Sequence, residues 1–261
     1  MTHEPNRLSL LFKRPGRREF ALFAAMYLIY DAARWGAAGH IGPARAHARW
    51  IIDLERSLHV AVERHVQHAL DAAVPSFLLA NVYLVAQLIV LPATLVWLYR
   101  RAPHIYRPFR STVALSWLIA TPIFALYPVA PPRLAGIGLK DIVSHQAGVA
   151  LTGHSTLFYN PYAAVPSLHV GLAFAIGIAA AAALRARLAK ALALMWGPLV
   201  TVAVIATGNH YVFDVVAGLL ATGLAYGAVT VASGVRTARA ERNPLPRRRF
   251  VPAHAANGRS S

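Results

Sequence analysis

Six long apolar segments restrict the possible fold of this chain more than any other feature. They lie near residues 20–38, 77–99, 111–127, 166–184, 191–206 and 210–232. A helix needs about 20 mostly apolar residues to cross the hydrocarbon core of a bilayer, and it satisfies its own backbone hydrogen bonds there. The pattern therefore predicts an all-α fold, an integral membrane bundle of six transmembrane helices within residues 20–232.

Composition agrees with a membrane protein and argues against other classes. Of the 261 residues, 57% are hydrophobic and only 14% are charged, which is too apolar for an ordinary soluble domain. The formal net charge is +16, but the basic residues lie between the apolar segments and in the tails, so we expect no nucleic-acid partner. The absence of cysteine excludes disulfides, thiolate metal ligands and a cysteine nucleophile.

The positions of lysine and arginine predict the orientation in the membrane. Of these 26 residues, 19 lie before residue 20, in the second and fourth connections, and after residue 232. Because cytoplasmic segments carry the excess of positive charge, both termini are predicted to be cytoplasmic. Residues 1–19 then form a basic leader, and residues 233–261 form a basic, disordered tail. The excess of arginine over lysine and the abundant alanine are typical of a GC-rich bacterial genome, so we expect a multi-pass protein of the bacterial plasma membrane.

The first apolar segment is interrupted by charge. Asp31 and Arg34 lie three residues apart and can pair, although each charge at a helix centre costs roughly 2.5 to 3.5 kcal/mol. A basic leader before an apolar stretch is also typical of a cleaved signal peptide. We expect an uncleaved span, because the apolar core of a signal peptide should lack such charges.

Two connections on the predicted outer face are long enough to carry structure. Residues 44–70 have apolar residues at helical spacing, including Trp50, Ile51 and Leu54, which predicts an amphipathic helix. This helix either lies in the membrane interface or packs over the outer mouth of the bundle. The connection over residues 129–165 is long for a helical bundle and is expected to be a binding loop or lid.

Glycine and proline predict two details of helix packing. Gly197 and Pro198 predict a kink in the fifth span. Gly223 and Gly227 form a G-x-x-x-G motif in the sixth span, which favours close packing inside the bundle over dimerisation. The oligomeric state is left open by this pattern.

A first chemical motif, YPVAPPRL, occupies residues 127–134. Its prolines end the third span, and Arg133 follows at the predicted outer surface. A guanidinium can donate two parallel hydrogen bonds to phosphate oxygens, which makes Arg133 a candidate phosphate contact. The alternative is an arginine whose long side chain reaches lipid headgroups.

A second motif, PSLH, opens the fourth span at residues 166–169. Pro166 suits the first turn of a helix, and Ser167 is a favourable N-cap. Amides at a helix start bind anions, so Ser167 is a candidate phosphate-binding residue. His169 lies in the expected first turn and can protonate a departing oxygen. The alternative is an interfacial, hydrogen-bonded histidine.

The third motif, HYVFD, opens the sixth span at residues 210–214. His210 and Asp214 are four residues apart and are expected on one helical face. A carboxylate that enters a bilayer needs a partner, and the histidine is one turn away. The pair would hold the imidazole in one tautomer and leave its other nitrogen to attack phosphorus. Alternatively, the pair only stabilises the helix end.

These motifs suit phosphoryl transfer, which depends mainly on positioning and charge stabilisation. YPVAPPRL, PSLH and HYVFD resemble the motifs of the type-2 phosphatidic acid phosphatase superfamily, and most closely its inositol-phosphoceramide synthase branch, over roughly residues 75–232. The resemblance implies a six-span helical bundle and metal-independent, cofactor-free chemistry through a phosphohistidine. It also implies that His210 is the nucleophile, Asp214 its orienting partner, His169 the acid for the leaving group and Arg133 a phosphate contact.

The chain also departs from the broader superfamily pattern. Leu126 stands where the first motif usually has a lysine, and Leu168 replaces the glycine of the second motif. Ala203 and Val204 replace a serine–arginine pair before the third motif. The inositol-phosphoceramide branch is similar to this chain at these positions. Three loop residues are candidates to supply the missing charge, namely Lys140, His145 and His154.

The sequence therefore predicts a membrane enzyme that cleaves or transfers a phosphate ester of a lipid phosphate or phospholipid at the outer face. Water as the acceptor gives a phosphatase, and an alcohol gives a transferase; the resemblance favours transfer of a phosphoinositol-type headgroup. One alternative is a non-catalytic lipid transporter or scaffold on the same bundle. A second is a metal enzyme, although no helical His-Glu-x-x-His motif is present, and His65 and His68 are expected to be solvated.

Overall fold

The computed structural model describes residues 41–146 and 162–242, with side chains to residue 235, and individual helical positions between residues 19 and 29. Within these ranges the protein is helical and has no β-strand, only a parallel bridge between Val129 and Ala163. The helices are α1 (Ile41–Ser57), α2 (Glu63–Leu70), α3 (Ala73–Val85), α4 (Leu91–Arg101), α5 (Pro103–Leu126), α6 (Ile142–Gln146), α7 (Leu168–Ala183), α8 (Arg187–Leu194), α9 (Trp196–Ala206) and α10 (Val212–Arg242). A π-helical turn, Ala86–Val90, joins α3 to α4.

Four stretches of the described chain are long and apolar enough to cross a membrane. They are Ala73–Arg101, Pro103–Leu126, Arg187–Ala206 and Val212–Val235, and they correspond to the second, third, fifth and sixth predicted spans. The fourth predicted span forms α7, an apolar helix of only 16 residues, whereas a crossing takes about 20. The first predicted span, residues 20–38, lies largely outside the described residues.

Three helix boundaries differ from the sequence predictions. α5 begins at Pro103, because a proline is well tolerated at the first helical position, so the preceding connection is short. The fifth span is interrupted at Met195, between α8 and α9, and not at Gly197 and Pro198 as predicted. Pro198 lies in the first turn of α9, where a backbone N–H would have no helical partner, so the proline does not interrupt the helix. α10 continues through Arg242, inside the segment predicted to be disordered.

α7 lies at the centre of the bundle. Leu168, Leu172 and Ile176 pack into a core with α4 and α5. Val170 and Ala173, on another side of the same helix, pack into a second core with α3, α9 and α10. Because α7 contacts helices on several sides, the residues at its start are fixed relative to the starts and ends of its neighbours.

A glycine permits backbone contact between α7 and α10. A Cβ at Gly218 would lie 2.1 Å from the backbone oxygen of Ser167, so any side chain there would force the helices apart. The predicted packing of Gly223 and Gly227 is wrong for the described bundle, because no atom lies within 4 Å of a Cβ placed at either position. The close contact occurs one turn earlier than the G-x-x-x-G motif suggested.

The segment predicted as one amphipathic helix over residues 44–70 forms two helices, α1 and α2. The buried side of α1 consists of Ala44, Ala48, Ile51, Ile52 and Glu55. Trp50, which the sequence placed on the apolar face, is 53% exposed. The two helices pack over the end of the bundle at which α10 begins.

Candidate active site

Three chemical motifs meet at one end of the bundle. α5 and α9 end there, while α7 and α10 begin there. The amide of Arg133 donates to the backbone oxygen of Gly208 over 3.0 Å, and the amide of Ser167 donates to the backbone oxygen of Asp214 over 3.0 Å. YPVAPPRL therefore contacts the segment before His210, and PSLH contacts the first turn of α10.

His210 and Asp214 form a buried pair. Nδ1 of His210 lies 3.2 Å from Oδ2 of Asp214, and the two residues are 6% and 0% exposed. α10 begins only at Val212, so His210 precedes the helix instead of lying on its face as predicted. The same carboxylate oxygen accepts the amide of Tyr211 over 2.9 Å, as an acidic residue in the first turn of a helix commonly does. Asp214 thus orients the imidazole and caps the first turn of α10.

Two further carboxyl groups reach the start of α10 from other helices. The amide of Val212 donates to Glu63 over 3.1 Å, and the amide of Phe213 donates to Glu55 over 2.7 Å. These amides have no acceptor within their own helix, so the glutamates of α1 and α2 satisfy them. Burial, partly offset by the Phe213 amide and reinforced by the nearby carboxyl groups of Glu63 and Asp214, raises the pKa of Glu55 to about 8.

Tyr211 connects this turn to the first motif. Its side chain is fully buried, and its hydroxyl donates to the backbone oxygen of Ala130 over 3.1 Å. Burial, followed by the carboxyl groups of Asp214, Glu55 and Glu63, raises the pKa of Tyr211. The hydroxyl therefore remains a hydrogen-bond donor at neutral pH.

His169 lies beside His210 at the start of α7. The two imidazole centroids are 5.9 Å apart, with planes inclined by 52°. On its other side the His169 ring stacks on Tyr83 of α3, with centroids 4.3 Å apart and planes inclined by 20°. His169 is partly exposed, whereas His210 is buried. Two imidazoles at this separation can both contact one tetrahedral phosphate group.

Arg133 is held against the segment that precedes His210. Its side chain is 3% exposed; Nε lies 3.3 Å from a carboxylate oxygen of Asp141, and Nη1 donates to the amide oxygen of Asn209. Gly208 has a φ of +70°, a conformation that favours glycine, and a Cβ there would lie 3.3 Å from Cβ of Arg133. Asn209, which directly precedes His210 in the chain, thus connects the arginine to the third motif.

Ser167 occupies the N-cap position of α7 without capping it. Its φ and ψ of −72° and 92° are those of a cap, but its side chain makes no capping hydrogen bond, and Pro166 lies before the helix instead of in its first turn. The residue is fully buried, and Oγ has no hydrogen-bond partner among the described residues. Ser167 thus gives the first turn of α7 no side-chain hydrogen bond, whereas carboxyl groups accept the amides at the start of α10.

The candidates for additional charge lie elsewhere. Lys140 is exposed and pairs with Asp71, His145 is exposed, and His154 lies outside the described residues. Positions 203 and 204 are fully buried in α9, and Leu126 is 82% exposed. The described residues contain no group of three histidines, aspartates or glutamates arranged to hold a metal ion. His65 and His68 are exposed, as predicted.

The chain belongs to the PAP2 superfamily, because the family model described as "PAP2 superfamily" matches residues 49–228. Members of this superfamily are phosphatases and phosphotransferases, which identifies the protein as an enzyme of that general kind. The matched region starts within α1 and includes Arg133, His169, His210 and Asp214. No curated protein and no solved structure matches the chain.

Sequence reasoning missed several residues that contact the site. Asp141, Asn209 and Tyr83 touch the predicted residues directly, and only Asn209 had a signal, since it adjoins His210. Glu55 and Glu63 lie in the segment predicted to be amphipathic, and no pattern in the sequence marks them as buried. Their burial arises from contact with α10, which lies 149 or more residues later in the chain.

Proposed function

We propose that the protein is a metal-independent lipid phosphate phosphatase or headgroup transferase that works through a phosphohistidine on His210. The observation that carries the proposal is the pair of imidazoles 5.9 Å apart, one of them bound to a buried carboxylate. With Nδ1 directed at Asp214, Nε2 of His210 is the attacking nitrogen. Asp214 stabilises the positive charge that develops on the ring during attack.

The reaction has two steps. In the first, Nε2 attacks phosphorus, the bond from phosphorus to the leaving oxygen breaks, and His169 gives its proton to that oxygen. In the second, His169 takes a proton from water or an alcohol, whose oxygen attacks phosphorus and breaks the phosphorus–nitrogen bond. Arg133, the Ser167 hydroxyl and the first-turn amides of α7 bind the phosphate oxygens throughout. Proton transfer of this kind typically contributes about 10²- to 10⁴-fold in rate.

We favour transfer of a phosphoinositol-type headgroup between lipids over hydrolysis. Burial of Ser167, His210 and Asp214 supports this choice, because exclusion of water lets an alcohol compete for the phosphoenzyme. The resemblance of the three motifs to the inositol-phosphoceramide synthase branch supports it as well. The site would lie at the outer face of a bacterial plasma membrane, at the end of the bundle opposite the basic connection before α5 and the connection between α7 and α8.

The test uses purified protein in lipid nanodiscs with a chelator present. Wild type is compared with His210→Ala, His169→Ala and, as a matched control, the exposed His68→Ala. Labelled phosphatidic acid, a prenyl pyrophosphate and phosphatidylinositol are offered with and without an alcohol-bearing lipid, and free phosphate and new phospholipid are followed. We expect chelator-resistant turnover that only His68→Ala retains. Turnover that survives His210→Ala would contradict the mechanism and favour a different role for the bundle.

A further inference from the structure

Two buried glutamates at the start of α10 have no part in the mechanism described above. Glu55 and Glu63 are 2% and 4% exposed, although glutamate is among the residues least often buried without a partner. Each accepts one first-turn amide of α10, from Phe213 and Val212 respectively. Burial of two acidic side chains is costly, so their place at this helix start calls for a physical reason.

The two carboxyl groups also influence each other. The carboxyl groups of Glu63 and Asp214 both lie near that of Glu55, and both raise its pKa. Two carboxylates cannot hydrogen-bond unless one carries a proton, and a buried pair of like charges retains that proton well above its ordinary pKa. Burial raises the pKa of Glu55 to about 8, so this carboxyl group is protonated at neutral pH.

His210 depends on this turn for its position. It precedes the helix, and its own amide has a long hydrogen bond of 3.2 Å to the backbone oxygen of Val204. The next three amides, of Tyr211, Val212 and Phe213, bind Asp214, Glu63 and Glu55 in that order. Loss of either glutamate would leave a buried amide without an acceptor and loosen the turn that holds the imidazole.

We infer that Glu55 and Glu63 are positioning residues that fix the first turn of α10 and thereby aim His210 at phosphorus. The inference rests on the proposed function, since it assigns these residues to the alignment of the same nucleophile. They touch neither the imidazole nor the phosphate site, so their effect reaches the reaction only through the geometry of residues 210–214.

Several charged groups face the pair. Asp214 faces it from α10 and Glu63 faces Glu55 from α2. A cavity of about 640 Å³ adjoins both glutamates, and its other charged or titratable lining residues are Arg56, Arg64, His65, His68, Asp71 and Lys140. As pH rises through about 8, Glu55 loses its proton and becomes a buried negative charge beside the carboxyl groups of Glu63 and Asp214. The turn should then loosen, and His210 should lose alignment.

Four variants in nanodiscs test the inference, namely Glu55→Ala, Glu55→Gln, Glu63→Gln and the control Asp53→Asn. Asp53 lies on the same helix but is exposed, with its side chain 74% accessible. The first readout is hydrogen exchange of the amides of residues 210–214, and the second is the infrared band of a protonated carboxyl group. Neither requires turnover. The third readout is kcat and KM from about pH 6 to about pH 10.

We expect Glu55→Ala to speed amide exchange about 10- to 100-fold and to lower kcat by a similar factor with KM nearly unchanged. Glutamine resembles a protonated glutamate, so Glu55→Gln should keep kcat at neutral pH, remove the infrared band and remove the loss of kcat above about pH 8. Glu63→Gln changes the acceptor of the Val212 amide and should speed exchange of that amide more than Glu55→Gln does. Asp53→Asn should match wild type.

Three results would overturn the inference. The first is unchanged amide exchange in Glu55→Ala, the second is an infrared band that persists in Glu55→Gln, and the third is faster exchange without a change in kcat. A failure of the proposed function is distinguishable, because it would appear as turnover in His210→Ala. Glu55→Gln preserves the shape of the side chain, so the test stands even where Glu55→Ala does not fold.

Discussion

The ring of Tyr83 stacks on the imidazole of His169, with centroids 4.3 Å apart and planes inclined by 20°, and so limits rotation of the proposed acid. Stacked aromatic pairs are worth about 0.5 to 1.5 kcal/mol beyond the area they bury. We expect Tyr83→Leu to lower kcat about tenfold, and Tyr83→Phe, which keeps the ring, to stay within about twofold of wild type. Steady-state kinetics on both variants check this, and equal activity of the two would contradict it.

Arg133→Lys should weaken substrate binding more than its retained charge suggests. The guanidinium binds Asp141 and Asn209 with two different nitrogens, an arrangement that a single ammonium does not reproduce. We expect KM to rise about 10- to 100-fold. Lys140→Ala, which removes an exposed cation paired with Asp71, is the control and should change KM little. A similar KM for Arg133→Lys and wild type would show that Arg133 does not bind the substrate phosphate.

Gly218→Ala should be damaging, whereas Gly223→Ala should be tolerated. A Cβ at position 218 would lie 2.1 Å from the backbone oxygen of Ser167, while position 223 is open. Separation of α7 from α10 should cost about 1 to 3 kcal/mol and displace His169 from His210, so that both stability and kcat fall. Thermal unfolding and kinetics of the two variants measure this. Equal stability would show that the helices are not in contact at Gly218.

Stability should depend on pH through Glu55. Its pKa is about 8 in the folded protein, against an ordinary value of 4.5. Between these values the folded protein holds a proton that the unfolded chain has released, so the free energy of unfolding falls as pH rises, by at most about 1.4 kcal/mol per pH unit. The contribution is complete below about pH 4.5 and lost above about pH 8. Denaturant unfolding of wild type and Glu55→Gln at several pH values checks this, and parallel curves would contradict it.

The orientation can be tested directly because the chain has no cysteine. Ser57→Cys places a thiol at the end of the bundle that holds the histidines, and Arg185→Cys places one at the opposite end; both positions are exposed. An impermeant thiol reagent added to intact cells should label only Ser57→Cys. Labelling of Arg185→Cys alone would show that the orientation in the membrane is the opposite of the predicted one.

The sequence revealed those site residues that stand out against apolar surroundings. His169, His210 and Asp214 interrupt hydrophobic segments at helix ends, where spacing alone suggested their contacts. Glu55 and Glu63 lie in a charged segment in which burial is indistinguishable from exposure until α10 is in place. Tyr83 lies within an apolar span, where an aromatic side chain has no distinctive pattern. α10 contacts α7 at Gly218 and not at Gly223, because only Gly218 faces the backbone of Ser167. A G-x-x-x-G motif does not indicate which neighbour a glycine faces.

The amides that open α10 are bound by residues that precede them by 149 and 158 positions. α1 and α2 therefore supply the hydrogen-bond acceptors that the first turn of α10 needs, although they are remote from it in sequence. A fragment that begins at α3 should lack an ordered residue 210. A chimera between relatives should work only when residues 41–70 and 210–214 come from the same parent. We therefore expect recombination within the superfamily to keep residues 41–70 and residues 210–214 from the same parent.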